Sequence, residues 1–269
     1  MTILNFPHGQ GAVHYRLDGP ANAPVLVLSN SLGTTLEMWA PQLDAFTAAF
    51  RVLRYDTRGH GGSAVLPGAY TLAQLGGDVL ALLDALEIQR AHFCGISMGG
   101  LTGLWLGVHA PQRLNKLVVS NTAARIGTQE GWQSRAALVR AEGLDGVADG
   151  AASRWFTPEF VATRPTLVAS LVEGLRRTPA KGYAACCDAL AEADLREAIA
   201  GIVVPTLVLA GRRDPVTTPV DADFIQSRVA GAQCVELPAS HLSNIEASDM
   251  FNQQVLAFLQ SEDQESPPL

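Results

Sequence analysis

The chain has 269 residues, enough for one or two domains, and its 48% hydrophobic and 17% charged residues supply material for a sizeable core. Nineteen Lys and Arg against 26 Asp and Glu leave a net charge of −7, which argues against a nucleic-acid-binding surface built from clustered cations. No apolar run approaches the ~20 residues of a membrane helix, and the first residues, Met1 to Pro7, lack a basic stretch followed by an apolar one. We therefore expect no membrane partner, no secretory signal and a cytoplasmic location. The four cysteines, Cys94, Cys186, Cys187 and Cys234, show no paired metal-site spacing and read as free thiols in a reducing compartment.

Taken in chain order, short runs rich in Val, Leu and Ile alternate with helical patterns. The runs fall at 25–28, 51–55, 91–96, 117–120, 203–209 and 233–237. Such runs suit strands buried on both faces of a parallel sheet. Residues 71–86 carry Leu72, Leu75, Val79, Leu82, Leu83 and Leu86 at three- and four-residue spacings, with Thr71 as a candidate N-cap. Further helices are expected over 98–109, stopped near Pro111, and over 219–228 and 247–259. The alternation predicts an α/β chain with a doubly wound, mostly parallel sheet. Residues 123–199 break the rhythm: helical patterns at 130–142, 144–155, 164–177 and 179–194 hold no convincing strand. We read them as a helical cap inserted between two core segments, 1–122 and 200–261. The polar tail 262–269 reads as disordered.

Gly95-Ile96-Ser97-Met98-Gly99 joins a predicted strand to a predicted helix. A G-x-S-x-G sequence in that context forms a sharp turn that lifts a serine hydroxyl above the sheet, where an adjacent base can activate it. The helix that follows points its positive end at the same place. In chains of this kind an acid and then a histidine follow the serine. His241, in the loop between the last strand and last helix, is the candidate base, whereas His109 reads as a surface or packing residue. Asp214, directly after the strand ending at Leu209, is the candidate acid. The other place for an acid, after the strand ending at Ser120, holds Asn121-Thr122 and no carboxylate. An oxyanion needs two N–H donors. The backbone of Met98 is one candidate and that of Leu32, in Ser29-Asn30-Ser31-Leu32-Gly33-Thr34, the other. The Gly-rich stretch Arg58-Gly59-His60-Gly61-Gly62-Ser63 lacks phosphate-loop spacing and reads as a tight loop with His60 bonded locally.

These segments, together with Met38-Trp39, Tyr55-Asp56-Thr57 before the Gly-rich stretch, and Gly211, resemble the α/β-hydrolases, and within them the 3-oxoadipate enol-lactonases. The likeness extends to about residue 260, and the Asn30-Ser31-Leu32-Gly33 loop, in place of His-Gly, is typical of that branch. The resemblance implies the α/β-hydrolase fold with its cap after the sixth strand, and a serine hydrolase that opens 3-oxoadipate enol-lactone to 3-oxoadipate in aromatic-compound degradation. It implies no metal or organic cofactor. The substrate would be a small anion, so an arginine of the cap is expected to meet its carboxylate. Arg125, Arg135, Arg140, Arg154, Arg164, Arg176 and Arg177 are available, with Arg135 preferred for its place beside Trp132. Trp39, Trp132 and Trp155 are candidate pocket walls. Competing readings keep the fold but change the substrate (an esterase, a C–C hydrolase or a cofactor-free perhydrolase), or make the pocket a non-catalytic receptor. Oligomeric state has no signature in the sequence.

Overall fold

The computed structural model describes residues 2–5 and 11–261; the expected disorder of 262–269 lies outside them. Eight strands form one sheet: β1 (Thr2–Asn5), β2 (Ala12–Asp18), β3 (Val25–Ser29), β4 (Arg51–Tyr55), β5 (Ala91–Ile96), β6 (Leu114–Ser120), β7 (Thr206–Gly211) and β8 (Gln233–Leu237). Twelve α-helices follow the chain: α1 (Leu43–Thr47), α2 (Leu72–Ala85), α3 (Met98–His109), α4 (Gln129–Glu142), α5 (Asp145–Asp149), α6 (Ala151–Trp155), α7 (Pro158–Thr163), α8 (Pro165–Arg176), α9 (Ala180–Glu192), α10 (Pro219–Arg228), α11 (Ser243–Glu246) and α12 (Ser248–Gln260). The strand order is β1-β2-β4-β3-β5-β6-β7-β8, antiparallel at β1 and β2 and parallel from β4 to β8.

Every residue of β5 and β7 is buried. That explains their mostly apolar character, interrupted at His92 and Thr206, because helices cover both faces of the sheet. The edge strand β8 is only partly covered, and its Gln233 and Glu236 are exposed. The sequence reading missed β1 and β2. In β2 the polar His14, Arg16 and Asp18 alternate with Val13, Tyr15 and Leu17, a period of two rather than an aliphatic run. Its register, Tyr15 opposite Tyr55 and Leu17 opposite Leu53, seals the other side of β4.

Helix α2 begins at Thr71 as expected: Thr71 accepts from the Gln74 N–H, and the Gln74 side chain accepts from the Thr71 N–H at 2.9 Å. Helices α4–α9 all lie between β6 and β7 in the chain. The single helix expected over 144–155 is two, parted at Gly150, where the Arg154 guanidinium sits 2.5 Å from the place a Cβ would take. The short α7 was also missed, although Thr157-Pro158 is an N-cap followed by proline at the first helical position. Leu195 N–H to Ala124 O at 2.8 Å joins the two ends of this helical segment, and Leu242 N–H to Trp155 O at 3.0 Å ties it to the loop after β8.

Candidate functional site at the carboxyl edge of the sheet

Ser97 stands between β5 and α3 with φ 57° and ψ −117°. A non-glycine residue there costs on the order of 1–3 kcal/mol and persists only where its surroundings enforce it. The enforcement is visible: the Ser97 N–H donates to Ser120 O at 3.0 Å, and Thr122 Oγ1 donates to Ser97 O at 2.7 Å. The two flanking glycines are steric necessities. A Cβ on Gly95 would stand 2.2 Å from Gly99 O, and one on Gly99 would stand 2.2 Å from Ser29 O. The G-x-S-x-G spacing therefore lets β5, α3 and the end of β3 close around the serine.

Asp214 and His241 come from the loops after β7 and β8. They are buried, and His241 Nδ1 lies 2.8 Å from Asp214 Oδ2. Asp214 collects four further donors: Val216 N–H at 2.7 Å and Thr217 N–H at 3.1 Å on Oδ1, then Thr217 Oγ1 at 2.8 Å and Asn121 Nδ2 at 3.0 Å on Oδ2. Burial alone would favour the neutral acid. The neighbouring His241 and these hydrogen bonds outweigh it and hold the Asp214 carboxyl below the usual carboxylate range. With the acid ionised, Nδ1 is the donor, and Nε2 of the ring is left to act as an acceptor.

Asn121 is the residue that sequence reasoning passed over. In the sequence its position after β6 shows only the lack of a carboxylate. Its amide donates both to Asp214 and to Ser240 O, at 3.1 Å, and so ties the acid loop to the histidine loop. Its Oδ1 accepts from Ser243 Oγ at 2.5 Å and Ser120 Oγ at 2.8 Å, which fixes which way the amide faces. Asn121 adopts φ 46°, a region that asparagine tolerates better than most residues.

The loop after β3 is held from three sides. Asn30 Nδ2 donates to Tyr55 O at 2.8 Å, Asn30 Oδ1 accepts from Trp39 Nε1 at 2.9 Å, and Gly33 N–H donates to His60 Nε2 at 3.0 Å. His60 thus reaches well beyond the local bonding expected of it. Burial depresses its pKa, against the opposing pull of Arg58 O and Asp56, and keeps the imidazole neutral as the Gly33 acceptor. Among the described residues, no acceptor engages the backbone N–H of Leu32 or Met98.

One cavity of about 310 Å³ brings Ser97, His241 and Leu32 together with Trp132, Arg135, Arg154 and Trp155. Leu175 and Tyr183 of the cap complete that side of its wall. Trp39 is not in the wall. It is wholly buried, with Phe251 6.2 Å away and its indole N–H spent on Asn30, so the expected pocket wall is instead a packing residue that braces the loop. The cap arginines also separate. Arg125, Arg140, Arg176 and Arg177 face Asp194, Asp188, Asp145 with Asp149, and Glu173 respectively. Arg135 and Arg154 line the cavity, and no Asp or Glu does so among the described residues. The Arg135 guanidinium lies 5.1 Å from the Trp132 ring centre.

A strand-turn-helix serine, an acid after β7 and a histidine after β8, all on a mostly parallel eight-stranded sheet, place this chain in the α/β-hydrolase fold family, whose model matches residues 24–248. The protein is a hydrolase. Within the family it is 50% identical to 3-oxoadipate enol-lactonase 2 of Acinetobacter baylyi over 92% of this chain and 93% of that one. It is 48% identical to 3-oxoadipate enol-lactonase 1 of the same organism, over 91% and 92%. Its fold superposes on the crystal structure of the enol-lactonase from Burkholderia xenovorans LB400 with a TM-score of 0.94 and 47% identity, covering 97% of this chain and all (100%) of that one.

Proposed function

We propose that the protein hydrolyses 3-oxoadipate enol-lactone to 3-oxoadipate through an acyl-enzyme, with Ser97 as nucleophile, His241 as general base and Asp214 as the acid that orients the imidazole. The observation that carries the reading is the shared cavity, in which Ser97 and His241 face two arginines and no carboxylate. Such a pocket suits an anionic ester, and relatives that bear the enol-lactonase name support the choice of ester. The same reading places the step in bacterial degradation of aromatic compounds.

Ser97 Oγ attacks the lactone carbonyl while His241 Nε2 takes its proton. The tetrahedral oxyanion lies against the N–H groups of Leu32 and Met98, the second at the positive end of α3. Collapse breaks the ring C–O bond and expels an enolate, which takes up the proton held by His241 and becomes the ketone, leaving the imidazole neutral again. Water, deprotonated by His241, then hydrolyses the acyl-enzyme and returns the proton to Ser97. Arg135 meets the substrate carboxylate. Loss of the lactone's absorbance on addition of purified protein tests the reading, with p-nitrophenyl acetate as the comparison. Turnover of the simple ester without turnover of the enol-lactone overturns the substrate assignment. Absence of a fluorophosphonate adduct on Ser97 overturns the mechanism.

A further inference from the structure

The enol-lactone enters with one negative charge, its carboxylate. Once the ring C–O bond breaks, the acyl-enzyme carries two, because the electron pair of that bond stays on the former ring oxygen as an enolate. The carbon that bears the enolate oxygen is one methylene away from the carboxylate, so both charges sit at the same end of the opened chain. The cavity wall offers two guanidinium groups, Arg135 and Arg154, and no carboxylate to neutralise them.

We propose that Arg135 and Arg154 act as a pair matched to the doubly charged ring-opened state, so that beyond holding the substrate carboxylate they stabilise the departing enolate. This rests on the enol-lactone reading above and adds a catalytic role to what would otherwise be a binding subsite. The two side chains are anchored differently. Arg135 rests on the face of Trp132, and Arg154 donates to Val147 O, the backbone of the neighbouring helix. Burial and the nearby Arg135 charge both work against protonation of Arg154. A like-charged pair held together in a partly buried wall is costly when the pocket is empty, and one added anion relieves less of that cost than two. Interactions that grow between the lactone and the ring-opened state are the ones that accelerate the step.

The balance of the step is complete. The bond from Ser97 Oγ to the acyl carbon forms as the ring C–O bond breaks, and the Oγ proton moves to His241. His241 passes that proton to the enolate, whose α-carbon ends up protonated as the ketone forms, and the imidazole is neutral again. Water then supplies the hydroxyl of the new carboxyl group, whose proton leaves to solvent. No oxidant or further reactant is needed.

The test separates carboxylate binding from enolate stabilisation by using α-angelica lactone, an enol-lactone that has no carboxylate. Three substrates are compared in the wild type, Arg154→Gln, Arg135→Gln and Arg154→Lys: 3-oxoadipate enol-lactone, α-angelica lactone and p-nitrophenyl acetate. The leaving group of the last needs no cation. The expected result is a loss in kcat/KM on α-angelica lactone for either Gln variant of about 10–100-fold, exceeding its loss on p-nitrophenyl acetate by tenfold or more, with partial recovery in Arg154→Lys. Equal losses on α-angelica lactone and p-nitrophenyl acetate, with only the carboxylated lactone selectively impaired through KM, overturn the enolate role and leave a carboxylate subsite. Failure of the wild type on the carboxylated lactone, with α-angelica lactone still turned over and still sensitive to Arg154→Gln, overturns the substrate assignment and not the enolate role. Failure on both enol-lactones with p-nitrophenyl acetate hydrolysed overturns both.

Discussion

Asp214 Oδ2 takes hydrogen bonds from His241, Asn121 and Thr217. Removing one donor from an ionised acceptor typically costs 1.5–3 kcal/mol. Asn121→Ala is therefore expected to lower kcat by about tenfold while leaving KM within about twofold, since Asn121 does not line the cavity. The same substitution raises the Asp214 pKa towards its unfolded value. A depressed carboxylate stabilises the fold above its unfolded pKa, and that contribution is lost as pH falls through the folded one. Thermal unfolding of Asn121→Ala should thus begin at a lower temperature than wild type at neutral pH, with the gap narrowing as the pH falls below about 4 to what the bonds to Ser240, Ser243 and Ser120 contribute. A constant gap down to strongly acid pH would remove Asn121 from the account of the ionised acid. At Ser97 the expectation is the reverse in kind: Ser97→Ala keeps the strained backbone and its bonds to Ser120 and Thr122. Turnover should fall by at least about 10⁴, with the melting temperature moving by less than about 2 °C. Residual activity above one per cent in clean protein would count against Ser97 as nucleophile.

At the scale of elements, the loop after β3 depends on an imidazole that must stay neutral. Gly33 N–H needs an unprotonated His60 Nε2 as acceptor, and burial lowers the His60 pKa. The unfolded chain therefore binds a proton near pH 6.5 that the folded chain refuses. Its contribution to stability is full above that pH and is lost as the pH falls below it. Replacing the group by a non-titrating one, as in His60→Asn, should flatten the decline in unfolding midpoint between pH 7 and 5. A variant whose decline is as steep as the wild type's would show that other groups set the slope. Segment by segment, the long elements were legible because their signals are local. The Thr71 cap and the Leu spacing of α2, or the short apolar-rich runs of β5 and β7, depend on neighbours along the same helix or strand. The strand β2 was not, because it is decided by a partner elsewhere, the edge of β4, and the break between α5 and α6 at Gly150 leaves no mark in the apolar spacing on either side of it.

For the molecule as a whole, two tryptophans that read alike in sequence differ in what they do. Trp39 is sealed against Phe251 inside the core, whereas Trp132 is partly open to the cavity, with its indole N–H donating to Ile126 O at 2.6 Å. Truncating a buried tryptophan to alanine costs roughly 3–5 kcal/mol. Trp39→Ala should accordingly lower the melting temperature by about 10 °C, and Trp132→Ala by far less while raising KM. Equal thermal penalties with equal effects on KM would contradict the separation. The division among the seven cap arginines has the same origin: Arg125, Arg140, Arg176 and Arg177 face carboxylates of the same helical segment, Arg164 is exposed, and Arg135 and Arg154 reach the cavity.

The sequence alone determined the alternation of strands and helices, the helical stretch between β6 and β7, and the strained turn at Ser97. Each of these follows from side-chain periodicity or from the backbone freedom of glycine within a few residues. It also supplied Asp214 and His241 as candidates. Tertiary structure decided the rest: that Asn121 bridges their two loops, that His60 carries the Gly33 loop, that Trp39 is core, and that Arg135 and Arg154 share the cavity. These are contacts between residues distant in the chain, formed only when the strand ends converge, and their energies reside in the assembled geometry rather than in any local pattern.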